Sequence, residues 1–272
     1  MNLLCYHLCR LGYDAFIVER PRKSDAPLPV RYLSPSIIKQ QKRQGREPIV
    51  VYPEITAGNP RGARFVVRYL LNKPGFLEPG AELSFGNDDY FLDGAREHAP
   101  AGVRSFDLFM PLVDRTVYFP RYAPSSRNGF AVFSHRAVID TAAFPEWVRP
   151  YTVLSIREPR SHAELGALYR QSRAMVTFER TSAIFEALSC GCPVICIGND
   201  RDNFKEETWH PRFRDAGLIW GWREADLEAA AGKTARFRAL YRELENNLDD
   251  RIQSAFDWIL DDVWRRAHGV AP

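Results

Sequence analysis

Short apolar runs alternate with polar, glycine- or proline-rich breaks along the chain, and the spacing of the apolar positions divides it into elements. Leu3, Leu4, His7, Leu8 and Leu11 recur at helical spacing and stop at Gly12, which predicts an opening helix. Ala15 to Val18 reads as a short strand, and the polar, proline-rich stretch Pro21 to Pro29 as a loop. Ile49 to Tyr52 is an apolar run of strand length. After the loop Pro53 to Gly62, the positions Ala63, Val66, Val67, Leu70 and Leu71 fit a second helix, ended by Lys73-Pro74-Gly75. Further short apolar runs lie at Glu82 to Phe85, Asp107 to Met110 and Val117 to Phe119.

Arg121 to Asn128, with Pro124, Ser125 and Ser126, has the make-up of a linker, and beyond it the alternation is regular. Strands are expected at Phe130 to Phe133, Thr152 to Ile156, Ala174 to Phe178, Pro193 to Ile197 and Gly217 to Trp220. Helices are expected at His162 to Ser172 and Thr181 to Cys190. Near the C-terminus Ile252, Ala255, Phe256, Ile259, Leu260, Val263 and Trp264 form one apolar helix face, opposite Asp257, Asp261, Asp262, Arg265 and Arg266. A membrane-surface helix would carry Lys and Arg on that polar face, so this one is expected to dock on the protein itself. The pattern predicts an α/β fold of two halves, each a small parallel sheet flanked by helices, facing one another across a cleft. The boundaries are 1–122 for an N-terminal domain, 123–248 for a C-terminal domain and 249–272 for the packing helix. An open α/β domain normally begins with a strand, whereas this chain begins in a helix. The first strand of the N-terminal domain is therefore expected to be missing.

Composition narrows the class without changing the layout. With 45% apolar and 26% charged residues, the 272-residue chain is globular rather than disordered, and no run nears the roughly 18 to 20 apolar residues that cross a bilayer. Met1 to Leu11 lacks a basic leader and a cleavage site, so a cytoplasmic location is expected. A net charge of +3 gives no reason to expect nucleic acid. The basic clusters Arg20 to Lys23 and Lys39 to Arg46 read first as solvated surface. Their alternative role is attraction to anionic headgroups at the inner membrane face or to an acidic lipid-linked acceptor. The five cysteines match no zinc spacing and read as buried, reduced thiols.

The chemistry concentrates between Ala174 and Ile197. If a buried strand ends at Phe178 and a helix begins near Thr181, Glu179 stands at a strand's carboxyl end, where open α/β sheets bind ligands. The N–H groups of Thr181, Ser182 and Ala183 would then face outward as a phosphate site. Glu186, about two turns on, could accept both hydroxyls of a diol such as ribose. Gly191 ends the helix, and Pro193 opens the next strand. Asp88-Asp89 lacks the spacing of a metal-binding Asp-x-Asp and reads as a solvated turn. Trp209 and His210 fall in a polar loop that could border the site. No Gly-x-Gly-x-x-Gly occurs, which speaks against a dinucleotide-dependent dehydrogenase.

The segment Glu186-Ala-Leu-Ser-Cys-Gly-Cys-Pro-Val-Ile195 resembles the Glu-Ala-x-x-x-Gly-x-Pro-Val segment of GT-B glycosyltransferases, mainly the retaining ones. Val51 to Pro60 and Val66 to Gly75 are similar to bacterial polysaccharide-assembly members of that group. The resemblance implies that Glu186 binds a nucleotide ribose and that Glu179 to Ala183 lie over the donor sugar and diphosphate. Six residues separate Glu179 from Glu186 where the family pattern has seven, so Phe178 takes the strict first-glutamate slot. The family places basic residues after the first strand of its C-terminal domain, which here points to His135 and Arg136, with Arg157 after the following strand as a further candidate. Glu54, after the strand at Ile49, is the candidate for acceptor contact or base catalysis, and Asn59 is a weaker one. The implied partners are a nucleoside-diphosphate sugar and a glycan or lipid-linked acceptor, with no metal or other cofactor. Two alternatives remain open: a degenerate, non-catalytic relative that binds a nucleotide sugar or a partner enzyme, and a GT-B epimerase.

Overall fold

The computed structural model describes residues 1–18, 28–94, 98–120, 127–135, 139–155, 157–199 and 204–269. The chain forms two compact units, Met1–Met110 with Asn246–Pro272, and Pro111–Glu245. Each holds a parallel sheet, one of four strands and one of five, which agrees with the α/β class expected. The Arg20 to Lys23 cluster and most of the expected linker at 121–128 lie outside the described residues.

In the first unit the strands β1 (Ile49–Pro53), β2 (Phe65–Leu70), β3 (Tyr90–Asp93) and β4 (Ser105–Asp107) lie side by side in that order, all parallel. The stretch expected as a second helix is therefore the strand β2. All six of its residues are buried, and a strand covered on both faces shows a continuous apolar run rather than an alternating one. Ala15 to Val18 contributes only a single bridge from Ile17 to Tyr32. Of the short apolar runs, Ala81–Ser84 is a 3-10 turn and Val117 to Phe119 forms no strand. β4 ends where the run from Asp107 begins.

Two helices cover the apolar side of this sheet: α1 (Asn2–Arg10) and, from the other end of the chain, α6 (Leu248–Ala267). Leu4 and Leu8 of α1 and Leu248, Ile252, Ala255, Phe256 and Ile259 of α6 share one core with Val67, Tyr69, Tyr90, Leu92, Leu108 and Met110. The polar face of α6 is only partly solvated. Asp262 accepts from the Tyr90 hydroxyl at 2.7 Å and from Arg104 at 2.6 Å, and His7 of α1 bonds Asp249 at 2.5 Å. The basic stretch from Lys39 includes the end of α2 (Pro35–Arg43), whose N-cap Ser34 accepts from the Ile37 N–H.

Asp88 and Asp89, expected together as a solvated turn, part company. Asp88 is exposed and pairs with Arg104 and Arg266, whereas Asp89 is buried against Arg68 at 2.6 Å. Arg68 is 1% exposed, donates to the carbonyls of Thr56 and Gly58, and lies over the rings of Tyr52 and Phe85. All of its donors point inward, so it ties the loop after β1 to the turn before β3.

The second unit orders its strands β6-β5-β7-β8-β9, all parallel: β5 (Phe130–Phe133), β6 (Tyr151–Leu154), β7 (Ala174–Thr177), β8 (Val194–Cys196) and β9 (Leu218–Trp220). The chain passes from β5 outward to β6, then returns to lay β7 on the opposite side of β5. The carboxyl ends of β5 and β7 therefore flank a topological switch point, where open α/β sheets place their ligands. Helices α3 (His162–Gln171), α4 (Ala183–Ser189) and α5 (Leu227–Asn246) complete the unit. A capping box of Ser161 and Glu164 starts α3. α4 ends at Gly191, whose φ of +74° permits the closing turn: Cys192 N–H reaches Ala187 O, and Gly191 N–H reaches Leu188 O. Arg127 adds a cation there, donating to the carbonyls of Tyr169, Ser172 and Cys190. Four of the five cysteines are buried and none is disulfide-bonded; burial pushes the Cys190 thiol up to about 11 and the Cys192 thiol up to about 12.

Candidate functional site

Two loops meet the switch point of the second unit: Ser134-His135 after β5, and Phe178 to Ser182 after β7. Phe178, in the strict first-glutamate slot, is a packing residue. Its ring stacks on Phe144 at 5.9 Å and meets Trp222 at 6.3 Å. Glu179 follows it at 2% exposure. The Thr177 hydroxyl accepts the Glu179 N–H at 3.4 Å and donates to the Glu179 carbonyl at 3.1 Å, so the turn out of β7 is fixed by its own side chain. Asn199 holds the same turn by donating to the Phe178 carbonyl.

The helix starts two residues later than expected. Thr181 Oγ1 accepts the Ala183 N–H at 3.3 Å, so Ala183 has no donor to offer a ligand. The N–H groups of Thr181 and Ser182 make no hydrogen bond among the described residues. Arg180 donates to the Thr208 carbonyl at 2.6 Å and lies 5.5 Å above the Trp209 ring, tying the β7–α4 loop to the segment that carries Trp209 and His210. Trp209 is buried, and His210 accepts from the Arg212 N–H, capping a short turn.

Glu186 lies on α4 among partners that local sequence patterns do not reveal. Burial raises its pKa above the ordinary carboxylate value, opposed by a hydrogen bond from Tyr118 and by the nearby His162. The Tyr118 hydroxyl is 2.7 Å from His162 Nδ1, and burial together with Glu186 drives its own pKa upward. Gly166 of α3 makes this grouping possible. A Cβ there would stand 2.9 Å from the Val117 carbonyl, so only glycine lets the segment carrying Tyr118 lie this close to the helix. Arg170 fixes the same carbonyl at 2.9 Å. The result is a Tyr–His–Glu constellation of residues 118, 162 and 186, in which only Glu186 was predicted.

The remaining candidates stand apart from it. His135 is exposed and its ring packs on Phe133 at 4.3 Å, while Arg136 lies outside the described residues. Arg157 is exposed and its N–H bonds the Ser155 hydroxyl. In the first unit, Glu54 is 4% exposed and its Oε2 accepts the Leu71 N–H at 3.1 Å, closing the end of β2. Asn59 braces its own loop through Ala63 and the Tyr52 hydroxyl. Among the described residues no three His, Cys, Asp or Glu side chains are placed to hold a metal, and no helix is long and apolar enough to cross a membrane.

No family model matches the chain, and no curated protein does. Nine chains among solved structures match it. Spinosyn forosaminyltransferase SpnP is distantly similar, at 14% sequence identity over 100% of this chain and 96% of that chain, with a TM-score of 0.41.

Proposed function

We propose that the chain is a glycosyltransferase of the GT-B type, which takes a nucleoside-diphosphate sugar in its second unit and passes the sugar to a glycan or lipid-linked acceptor. The observation that carries this reading is the position of the Phe178–Ser182 loop. It leaves a parallel sheet at the switch point and runs directly into the Glu186–Ile195 segment that resembles GT-B enzymes. In this reading Glu186 accepts hydrogen bonds from the ribose diol, with Tyr118 and His162 orienting its carboxylate. The N–H groups of Thr181 and Ser182 and the side chains of His135 and Arg136 stabilise the charge that grows on the leaving diphosphate. Glu179 lies against the donor sugar, and Glu54 serves the acceptor from the first unit.

The test is thermal-shift screening of the full-length protein with UDP, GDP and dTDP sugars, beside Glu186→Ala and with a CMP sugar, which carries one phosphate, as the negative control. A ligand that binds only the folded state stabilises it by about 2.7 kcal/mol at a hundredfold excess over Kd. One nucleotide should raise the melting temperature of the wild type and leave the variant unmoved. No shift with any nucleoside-diphosphate sugar would defeat the proposal.

A further inference from the structure

A second concentration of chemistry lies in the same unit, around a cavity of 280 Å³ lined by Arg115, Tyr118, Ser189, Arg238, Tyr241 and Arg242 among others. Three guanidinium groups border it; among the described residues Glu245 pairs with Arg115 at 2.6 Å, and the Glu186 carboxylate lies close enough to act on the lining Tyr118 and Tyr241. Among the described residues Arg238 bonds only a neutral partner, the Thr234 hydroxyl at 3.2 Å, and Arg242 has no ion pair. Arg238 and Arg242 stand one turn apart on α5, where like charges repel across the helix surface. A further cation adjoins them at Gly191, where a Cβ would sit 3.2 Å from Arg127 and 3.5 Å from Arg238. Burial, and after it the charges of Arg127 and Arg242, push the Arg238 guanidinium below its usual range. Arg127 is occupied by three carbonyls, which leaves Arg115, Arg238 and Arg242 to face the cavity.

We propose that this cavity binds a phosphoryl anion, gripped by Arg238 and Arg242 with Arg115 beside them. The guanidinium fork matches the paired oxygens of a phosphate in spacing and charge. The volume falls just below the roughly 300 to 1,000 Å³ of sites for drug-sized ligands, which suits a small anion or the head of a phosphomonoester. The cavity shares Tyr118 with the donor site proposed above, but none of the three arginines is assigned to that site.

The experiment titrates the full-length protein with inorganic phosphate and with pyrophosphate by calorimetry, and sediments it with phosphatidylcholine vesicles with and without phosphatidic acid. Arg242→Gln is the main variant, since Arg242 is exposed and its loss disturbs no described ion pair. Arg238→Gln is the second, and Arg236→Gln, from the Asp215 pair, is the control. Phosphate or pyrophosphate binding weakened about tenfold in both cavity variants, and unchanged in the control, is the expected result. Binding to phosphatidic acid vesicles alone, with the same dependence on the variants, would assign the anion to a lipid headgroup. No binding of any probe, or binding that ignores both substitutions, would overturn the proposal. If Arg242→Gln instead abolished a nucleotide-sugar shift, the cavity would belong to the donor site and a separate anion site would be refuted. A missing nucleotide-sugar shift alongside Arg242-dependent phosphate binding would count against the enzyme alone.

Discussion

Glu186 carries a cost that its surroundings only partly offset. Burial lifts its pKa above the ordinary 4.5, and Tyr118 and His162 pull it back by less. The folded chain therefore binds a proton that the unfolded chain has released, in the window from 4.5 up to the raised folded value. There the unfolding free energy falls as pH rises. The contribution is fully present below 4.5 and is lost as pH climbs through the folded pKa. Glu186→Gln keeps the shape and cannot titrate. Its melting temperature relative to the wild type should climb between pH 4.5 and neutrality, and a flat difference would show that the carboxylate is solvated after all. Glu186 was legible as a candidate from its place before Ala187, Gly191 and Pro193. Its partners were not. Tyr118 and His162 reach it through the fold, across a contact that the bare backbone of Gly166 permits, and no spacing rule links residues so far apart.

At the scale of elements, α6 and β2 separate what periodicity reveals from what it hides. α6 showed one apolar stripe, and that stripe is what the first unit buries. Ile252 is fully buried while Leu260, on the same predicted face, is 39% exposed at its edge. Ile252→Ala should then cost about 2 to 5 kcal/mol in urea denaturation, and Leu260→Ala about 0.5 kcal/mol or less. Equal losses would mean that α6 is rotated from the packing described. β2 misled because its run is buried on both faces, and Val66, Val67 and Leu70 fit a helix face as well as a strand. The β-branched and aromatic residues Phe65, Val66, Val67 and Tyr69 were the better guide. β3 went unseen because Asp88, Asp89 and Asp93 surround its three apolar residues, although Asp89 is neutralised by Arg68 and Asp93 accepts the N–H groups of His98 and Ala99. α5 was missed for a related reason. Its buried positions, Leu227, Ala230, Thr234, Phe237, Tyr241 and Leu244, keep helical spacing, but Ala and Thr dilute the stripe.

For the whole molecule, the α/β class and the two parallel sheets were legible from alternating runs, while the assignment of chain ends to units depends on contacts between distant residues. The second unit is one continuous segment, Pro111–Glu245, with its own core of Phe130, Val132, Phe144, Val148, Val176, Ile195 and Ile219. Its first residues belong to it because the Tyr241 hydroxyl accepts the N–H groups of Leu112 and Val113. The first unit is discontinuous: α6 supplies Leu248, Ile252, Ala255, Phe256 and Ile259 to a sheet formed by the other end of the chain. Expressed alone, residues 111–245 should unfold in a single cooperative transition with native near-ultraviolet circular dichroism. Residues 1–110 should lack such a transition, because deleting α6 leaves the apolar side of β2 and β3 in water, and fusing 246–272 back through a flexible linker should restore it. Cooperative folding of 1–110 by itself would show that α6 is an accessory to that core, and failure of 111–245 to fold would show that the second unit draws its stability from outside its own contacts.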